Sequence, residues 1–137
     1  MASILKVDEM QGVTSAGDIT VTSEGGSATQ SLQQGLAKMW CIFNGTGTIA
    51  ILDSINSASL TDNGTGNYQV NYTNDFSSAD NYVSAMSADE NNSTNQGRIG
   101  TLQAQAASSG KVVCALASDL STRDMQRVHK INHGDLA

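Results

Sequence analysis

The sequence predicts an all-β fold: a small antiparallel sandwich, jelly-roll-like, with an extended N-terminal arm and a short C-terminal helix. Three observations carry this. Short segments rich in β-branched and aromatic residues alternate with polar ones. Gly/Asn clusters separate them at hairpin-like intervals. Proline is absent and only 15% of the 137 residues are charged, unlike the charged, Pro-rich composition of disordered chains. Nearly half of the chain is Ser, Thr, Asn, Gln or Gly, so the expected core is lean and the surface polar.

The segments divide the chain into residues 1–36, an arm and connection; 37–118, the sandwich; and 119–137, a helical extension. In the first part Ile4–Asp8 reads as an arm or edge strand, and Asp18–Ser23 alternates as a strand. Ser27–Leu36 is either a short helix or an irregular connection. The sandwich begins with Ala37–Phe43, turns at Asn44–Gly47 and returns as Thr48–Ser54. Ser57–Thr61 runs to the Asp62–Gly66 turn, where Asn-Gly supplies positive φ. Asn67–Thr73 alternates strictly, with Tyr68, Val70 and Tyr72 on one face. A polar connection carrying Phe76 leads to the strand Tyr82–Ala88 and the polar loop Asp89–Gln96. Arg98–Ala107 and Lys111–Ser118 form a last pair. Ser121-Thr122-Arg123-Asp124 matches a capping box, and Met125, Val128 and Ile131 recur every third residue, which predicts a helix over 121–131.

A net charge of −6 excludes an ordinary nucleic-acid binder, which needs clustered Lys and Arg. No secretory signal or membrane span is expected, since no apolar run is long enough. Cys41 and Cys114 lie in apolar runs and read as buried free thiols in preference to a disulfide, which would need their Cα atoms within about 7 Å. The aromatic residues Trp40, Phe43, Tyr68, Tyr72 and Tyr82 all fall in strands and are assigned to the core.

Catalytic and metal motifs fail on inspection. His129 and His133 lie near the end of the chain without a Gly-x-Ser-x-Gly elbow or a zincin Glu. Asp62–Gly66 lacks the ligands of a calcium loop, and the Gly-x-Gly pairs do not open a βαβ unit. No enzyme, cofactor or metal is expected. The remaining candidate positions are docking residues, Ile4, Leu5, Val7, Met125, Val128 and Ile131, and exposed loop residues, Asn44, Thr46, Asn63, Thr65, Asn91 and Asn92.

Two runs, Trp40-x-x-Phe43-Asn44-Gly45-Thr46-Gly47-Thr48 and Thr61-Asp62-Asn63-Gly64-Thr65-Gly66-x-Tyr68-x-Val70-Asn71-Tyr72-Thr73, together resemble a small β domain of marine bacteriophage virion structural proteins, tail-fibre-like or decoration-like. The opening Ser3–Asp8 is similar to the start of many such proteins. The resemblance covers residues 37–118 and, loosely, the first segment. It implies a virion structural protein, made in the host bacterial cytoplasm, that attaches to capsid or tail proteins and assembles as a homo-oligomer, by analogy a trimer. Asp119–Ala137 departs from the pattern and implies an added docking element. The alternative is a receptor- or carbohydrate-binding module of a tail fibre, with a host-surface glycan as partner and the polar loops as its site.

Overall fold

The computed structural model describes residues 4–15, 18–89 and 98–137. The chain divides into two compact units, Met1–Leu36 and Ala37–Ala137. In the first, β1 (Thr20–Thr22) pairs with β2 (Thr29–Ser31), and α1 (Leu32–Gly35) follows directly. Ser31 Oγ accepts the Gln34 amide at 3.4 Å as N-cap. Among the described residues, those before β1 belong to no helix or strand. Val7–Met10 instead flank a hollow of about 340 Å³ together with Ile19, Leu32 and Leu36.

Among the described residues the second unit contains eight strands: β3 (Met39–Asn44), β4 (Ala50–Ile55), β5 (Ser57–Asp62), β6 (Asn67–Tyr72), β7 (Tyr82–Asp89), β8 (Arg98–Ala106), β9 (Ser109–Leu116) and β10 (Arg127–Gly134). They form two antiparallel four-stranded sheets, ordered β4-β3-β10-β7 and β5-β6-β9-β8. The all-β sandwich is therefore realised. Its connectivity places β10 beside β7 after the β7-β8-β9 run, one Greek key where a jelly roll has two. The crossing from β4 to β5 needs a single residue, Asn56, at φ 56°, a left-handed conformation that Asn tolerates. Its side chain clamps Asn74, donating to the carbonyl at 3.0 Å and accepting the amide at 2.6 Å.

The C-terminal segment corrects the sequence expectation. No helix spans 121–131, and residues 119–137 are not an extension. β10 lies in the middle of its sheet, paired with β3 from Val128↔Phe43 to Asn132↔Met39 and with β7 along all eight residues. The apparent capping box does other work. Asp119 Oδ1 accepts the Ser121 amide and hydroxyl at 2.9 and 2.7 Å. Arg123 donates its amide to the Cys114 carbonyl at 3.0 Å, and Asp124 Oδ1 accepts the Gly66 amide at 2.7 Å. Gly66 sits at φ 67°, and a Cβ there would come within 2.5 Å of the Cys114 carbonyl, so only glycine fits this junction.

The core follows from strand alternation. Met39, Cys41 and Phe43 of β3 and Val128 of β10 face Tyr68, Val70 and Tyr72 of β6 and Val112 and Cys114 of β9. Met125 enters the same cluster. One end holds an edge-to-face Phe43–Tyr68 pair with centroids at 5.3 Å. At the other, Tyr72 and Tyr82 surround Phe76, which stacks on Tyr82 at 4.2 Å. Such pairs add ~0.5–1.5 kcal/mol beyond their burial.

Three of the four sheet edges are interrupted. Extra residues Leu52 on β4, Ala58 on β5 and Ala104 on β8 break the register, and Ala104 takes φ 38°. Bulged edges twist away from further strand pairing. β7 alone keeps an unbroken register.

Because β10 is a central strand, removal of Arg127–Ala137 should abolish cooperative unfolding. Removal of Met1–Leu36 should leave a cooperative transition shifted by no more than about 3 °C. Circular dichroism melts of the two truncations check both outcomes.

Candidate functional site

The alternation that fills the core also decides what the sheet shows outside. Along β10, Val128, Lys130 and Asn132 point inward, while Arg127, His129, Ile131 and His133 point outward. On β3, Trp40 and Ile42 are the outward residues. Cross-strand register sets them in rows. Ile55, Trp40, Ile131 and Ala85 lie side by side across the sheet, and Asp53, Ile42, His129 and Ser87 form the next row. Beyond them His133 sits opposite Val83. A groove of about 420 Å³ runs along β3, β10 and β7 at Trp40–Ile42, Ala85–Ser87 and His129–Ile131.

This face is unusually apolar for an exposed sheet surface. Ile55 is 53% exposed, Val83 70% and Ile131 37%, with Trp40 half-buried between them. Covering an exposed aliphatic or aromatic side chain of this size stabilises by ~1.5–3 kcal/mol, so a contiguous row of them marks an interaction surface. Its polar members include Ser87, Asp53, the two histidines and, at one end, Arg127 opposite Asp89. A helix would have brought His129 and His133 together on one turn. On a strand they are about 13 Å apart, too far for one metal ion. Among the described residues no group of three His, Cys, Asp or Glu side chains is placed to hold a metal.

Behind the face lies a buried polar chain. Lys130, only 2% exposed, donates through Nζ to Ser84 Oγ at 3.0 Å. The Ser84 hydroxyl donates to Asn132 Oδ1 at 2.7 Å, and Asn132 Nδ2 donates to the Tyr72 hydroxyl at 2.9 Å. Tyr72 donates to Tyr82 at 3.3 Å, and Tyr82 ends the chain on the Ala106 and Ser109 carbonyls at 3.0 and 3.2 Å. Gly110 of β9 makes room for it: a Cβ there would stand 2.5 Å from the Tyr72 hydroxyl and 3.1 Å from Lys130 Nζ. Burial pushes the Lys130 ammonium down to about 8. The same burial raises the pKa values of Tyr72 and Tyr82 above the ordinary tyrosine value, making both weaker acids.

A second polar junction ties three loops. The Tyr68 hydroxyl lies 2.7 Å from both the Gly45 carbonyl and Asp124 Oδ1. Burial, then the Asp124 hydrogen bond and charge, holds its pKa well above the ordinary value. Cys41 and Cys114 are free and buried. Burial raises both, Cys114 to about 11. Ser57 lies against the Cys41 thiol, and its hydroxyl has no other partner.

The sequence-derived docking set splits accordingly. Ile4 and Leu5 are 79% and 80% exposed and Val7 51%. Ile131 is on the outer face. Met125 and Val128 are fully buried, so they cannot dock a partner; as strand and loop residues they point into the core. The core assignment holds for Phe43, Tyr68, Tyr72 and Tyr82 and fails for Trp40, whose position on β3 alternates outward. Among the loop residues, Asn44 and Thr46 spend their polar groups on each other: Asn44 Oδ1 accepts the Thr46 amide at 3.1 Å and hydroxyl at 2.8 Å, and Asn44 Nδ2 donates to the Thr46 carbonyl at 2.9 Å. They build the turn and are not free to recognise a ligand. Asn63 and Thr65 are exposed. Asn91 and Asn92 lie outside the described residues. Sequence reasoning missed Trp40, Ile42 and His129 as a group; the strand period, applied through 127–134, would have found them.

Comparison with protein-family models, with curated proteins and with solved structures finds no match. Among the described residues no helix is long and apolar enough to cross a membrane.

Two outcomes are expected. Lys130 titrates at 10.5 when unfolded and at about 8 when folded. The folded state therefore binds fewer protons between those values, and stability from this group rises with pH across the window. Lys130→Met should be more stable than the parent by about 3 kcal/mol below pH 8, with the advantage gone near pH 10.5. Denaturant unfolding of both proteins at matched pH checks this. Separately, both thiols should resist a disulfide reagent in the native protein and react fully in denaturant, as a colorimetric thiol count would register.

Proposed function

We propose that this chain is a non-enzymatic structural subunit of a bacteriophage particle, a surface decoration or fibre-type protein that attaches to neighbouring capsid or tail proteins and to copies of itself, a trimer by analogy. The observation that carries the reading is the exposed apolar row Ile55–Trp40–Ile131–Ala85 on one face of a rigid sandwich. A surface of this kind is a place for another protein. The resemblance of the two Gly-turned motifs to marine phage virion domains is what suggests the particle setting. The bulged edges β4, β5 and β8 favour attachment through the face over strand addition at those edges.

A second reading is favoured by one feature, the half-buried Trp40 in a groove with Ser87 and His129. An aromatic plane with nearby hydrogen-bonding groups is how sugars are held, so the tail-fibre carbohydrate-binding alternative moves from the loops to this groove.

The test is a pair of substitutions, Trp40→Ala and Ile131→Ser. In phage particles made with the double variant, the copy number of this chain should fall about tenfold or more. Undiminished copy number in particles, with glycan-array binding lost on Trp40→Ala, would move the assignment to the second reading.

A further inference from the structure

We propose that the outer face around Trp40 and Ile131 receives the N-terminal segment Ile4–Glu9 of a second copy of this chain. The inference rests on the attachment reading above and names what attaches.

Each copy carries both halves of such a contact. The segment Ile4–Thr14 belongs to no helix or strand, and among the described residues none of its backbone amides or carbonyls is hydrogen-bonded. Ile4 and Leu5 are 79% and 80% exposed, and Val7, beside the hollow formed with Ile19, Leu32 and Leu36, is still 51% exposed. The face offers an apolar row with histidines of β10 on either side of Ile131. Ordering the segment on that face would cover both sets of side chains at once.

The repeats match in spacing and in chemistry. In an extended segment Leu5, Val7 and Glu9 project to one side, about 6.8 Å apart. Along the outer side of β10, Ile131 is separated by the same ~6.8 Å from His129 and from His133. Val7 over Ile131, beside Trp40, therefore sets Glu9 over one of the two imidazoles and Leu5 over the other, next to Ile42 or Val83. An imidazole keeps one N–H donor even when neutral, so it can donate to the Glu9 carboxylate. Exchange of identical segments between copies closes into a symmetric assembly with no segment left over.

The full-length chain tests this, because Trp40 is its one tryptophan and reports directly on whether the face is covered. Sedimentation equilibrium and tryptophan emission would be followed together across concentration. The parent should associate, with emission moving to shorter wavelength as it does so. Leu5→Ser/Val7→Ser, Glu9→Lys and Ile131→Ser should each weaken association by about tenfold or more and keep the emission at long wavelength, with unchanged circular dichroism melts. A parent that stays monomeric at its highest soluble concentration overturns the proposal, as does association unaffected by the variants. A short-wavelength emission independent of concentration and lost in Leu5→Ser/Val7→Ser would give the face to the chain's own segment and overturns it equally. Each of these results leaves the particle copy-number experiment free to succeed, so the two readings fail separately.

Discussion

The register of β10 is the constraint on which the rest of the molecule depends. Side chains on a strand alternate, so fixing Val128 opposite Phe43 and Ala88 fixes everything along Arg127–Gly134. Lys130 and Asn132 must be inside, and His129, Ile131 and His133 must be outside. A slip by one residue would exchange the two sets and place two imidazoles in an apolar core. The outer face and the inner polar chain are thus two consequences of one alignment.

The buried lysine is an uneconomical way to fill a core. Removing an ammonium from water is costly, and Lys130 has a single hydroxyl as its hydrogen-bond partner. What the arrangement supplies is specificity. Ser84, Asn132, Tyr72 and Tyr82 connect β7, β10 and β6, and the chain ends on carbonyls at the β8–β9 turn. Only one register satisfies all of these groups, whereas a purely apolar β10 could shift by two residues with little penalty. The absent side chain at Gly110 belongs to the same solution, since the space it leaves is occupied by the lysine and tyrosine head groups.

Much of the fold was legible because strand-turn-strand patterns are local: strands β3 to β9 coincide closely with the alternating and β-branched segments, and Gly-x-Gly turns join β3 to β4 and β5 to β6. The C-terminal strand was not legible, for a definite reason. Its inward positions, 128, 130 and 132, read Val, Lys, Asn, so an apolar pattern search sees no period of two there. Met125, Val128 and Ile131 simulate a helical spacing instead, although the first two are core residues and the third is on the opposite side. Ser121–Asp124 simulates a cap because short polar residues that bind backbone amides serve loops as readily as helix starts. Tertiary pairing with β3 and β7 decided the outcome. The misassigned strand also hid the site, because Trp40 joins Ile131 and His129 only when β10 lies beside β3.

Once β10 is placed, the sandwich has three bulged edges, the unbroken β7 edge and an apolar outer face on the β4-β3-β10-β7 sheet, and attachment through that face follows from its side chains. Native-state hydrogen exchange resolved along 127–134 tests the placement most directly. The account requires these amides to exchange as slowly as those of β3 and β9, through global unfolding alone. Exchange at rates close to those of the unpaired segment 4–14 would mean that β10 is not a central strand, and the face, the lysine chain and the proposed assembly would all go with it.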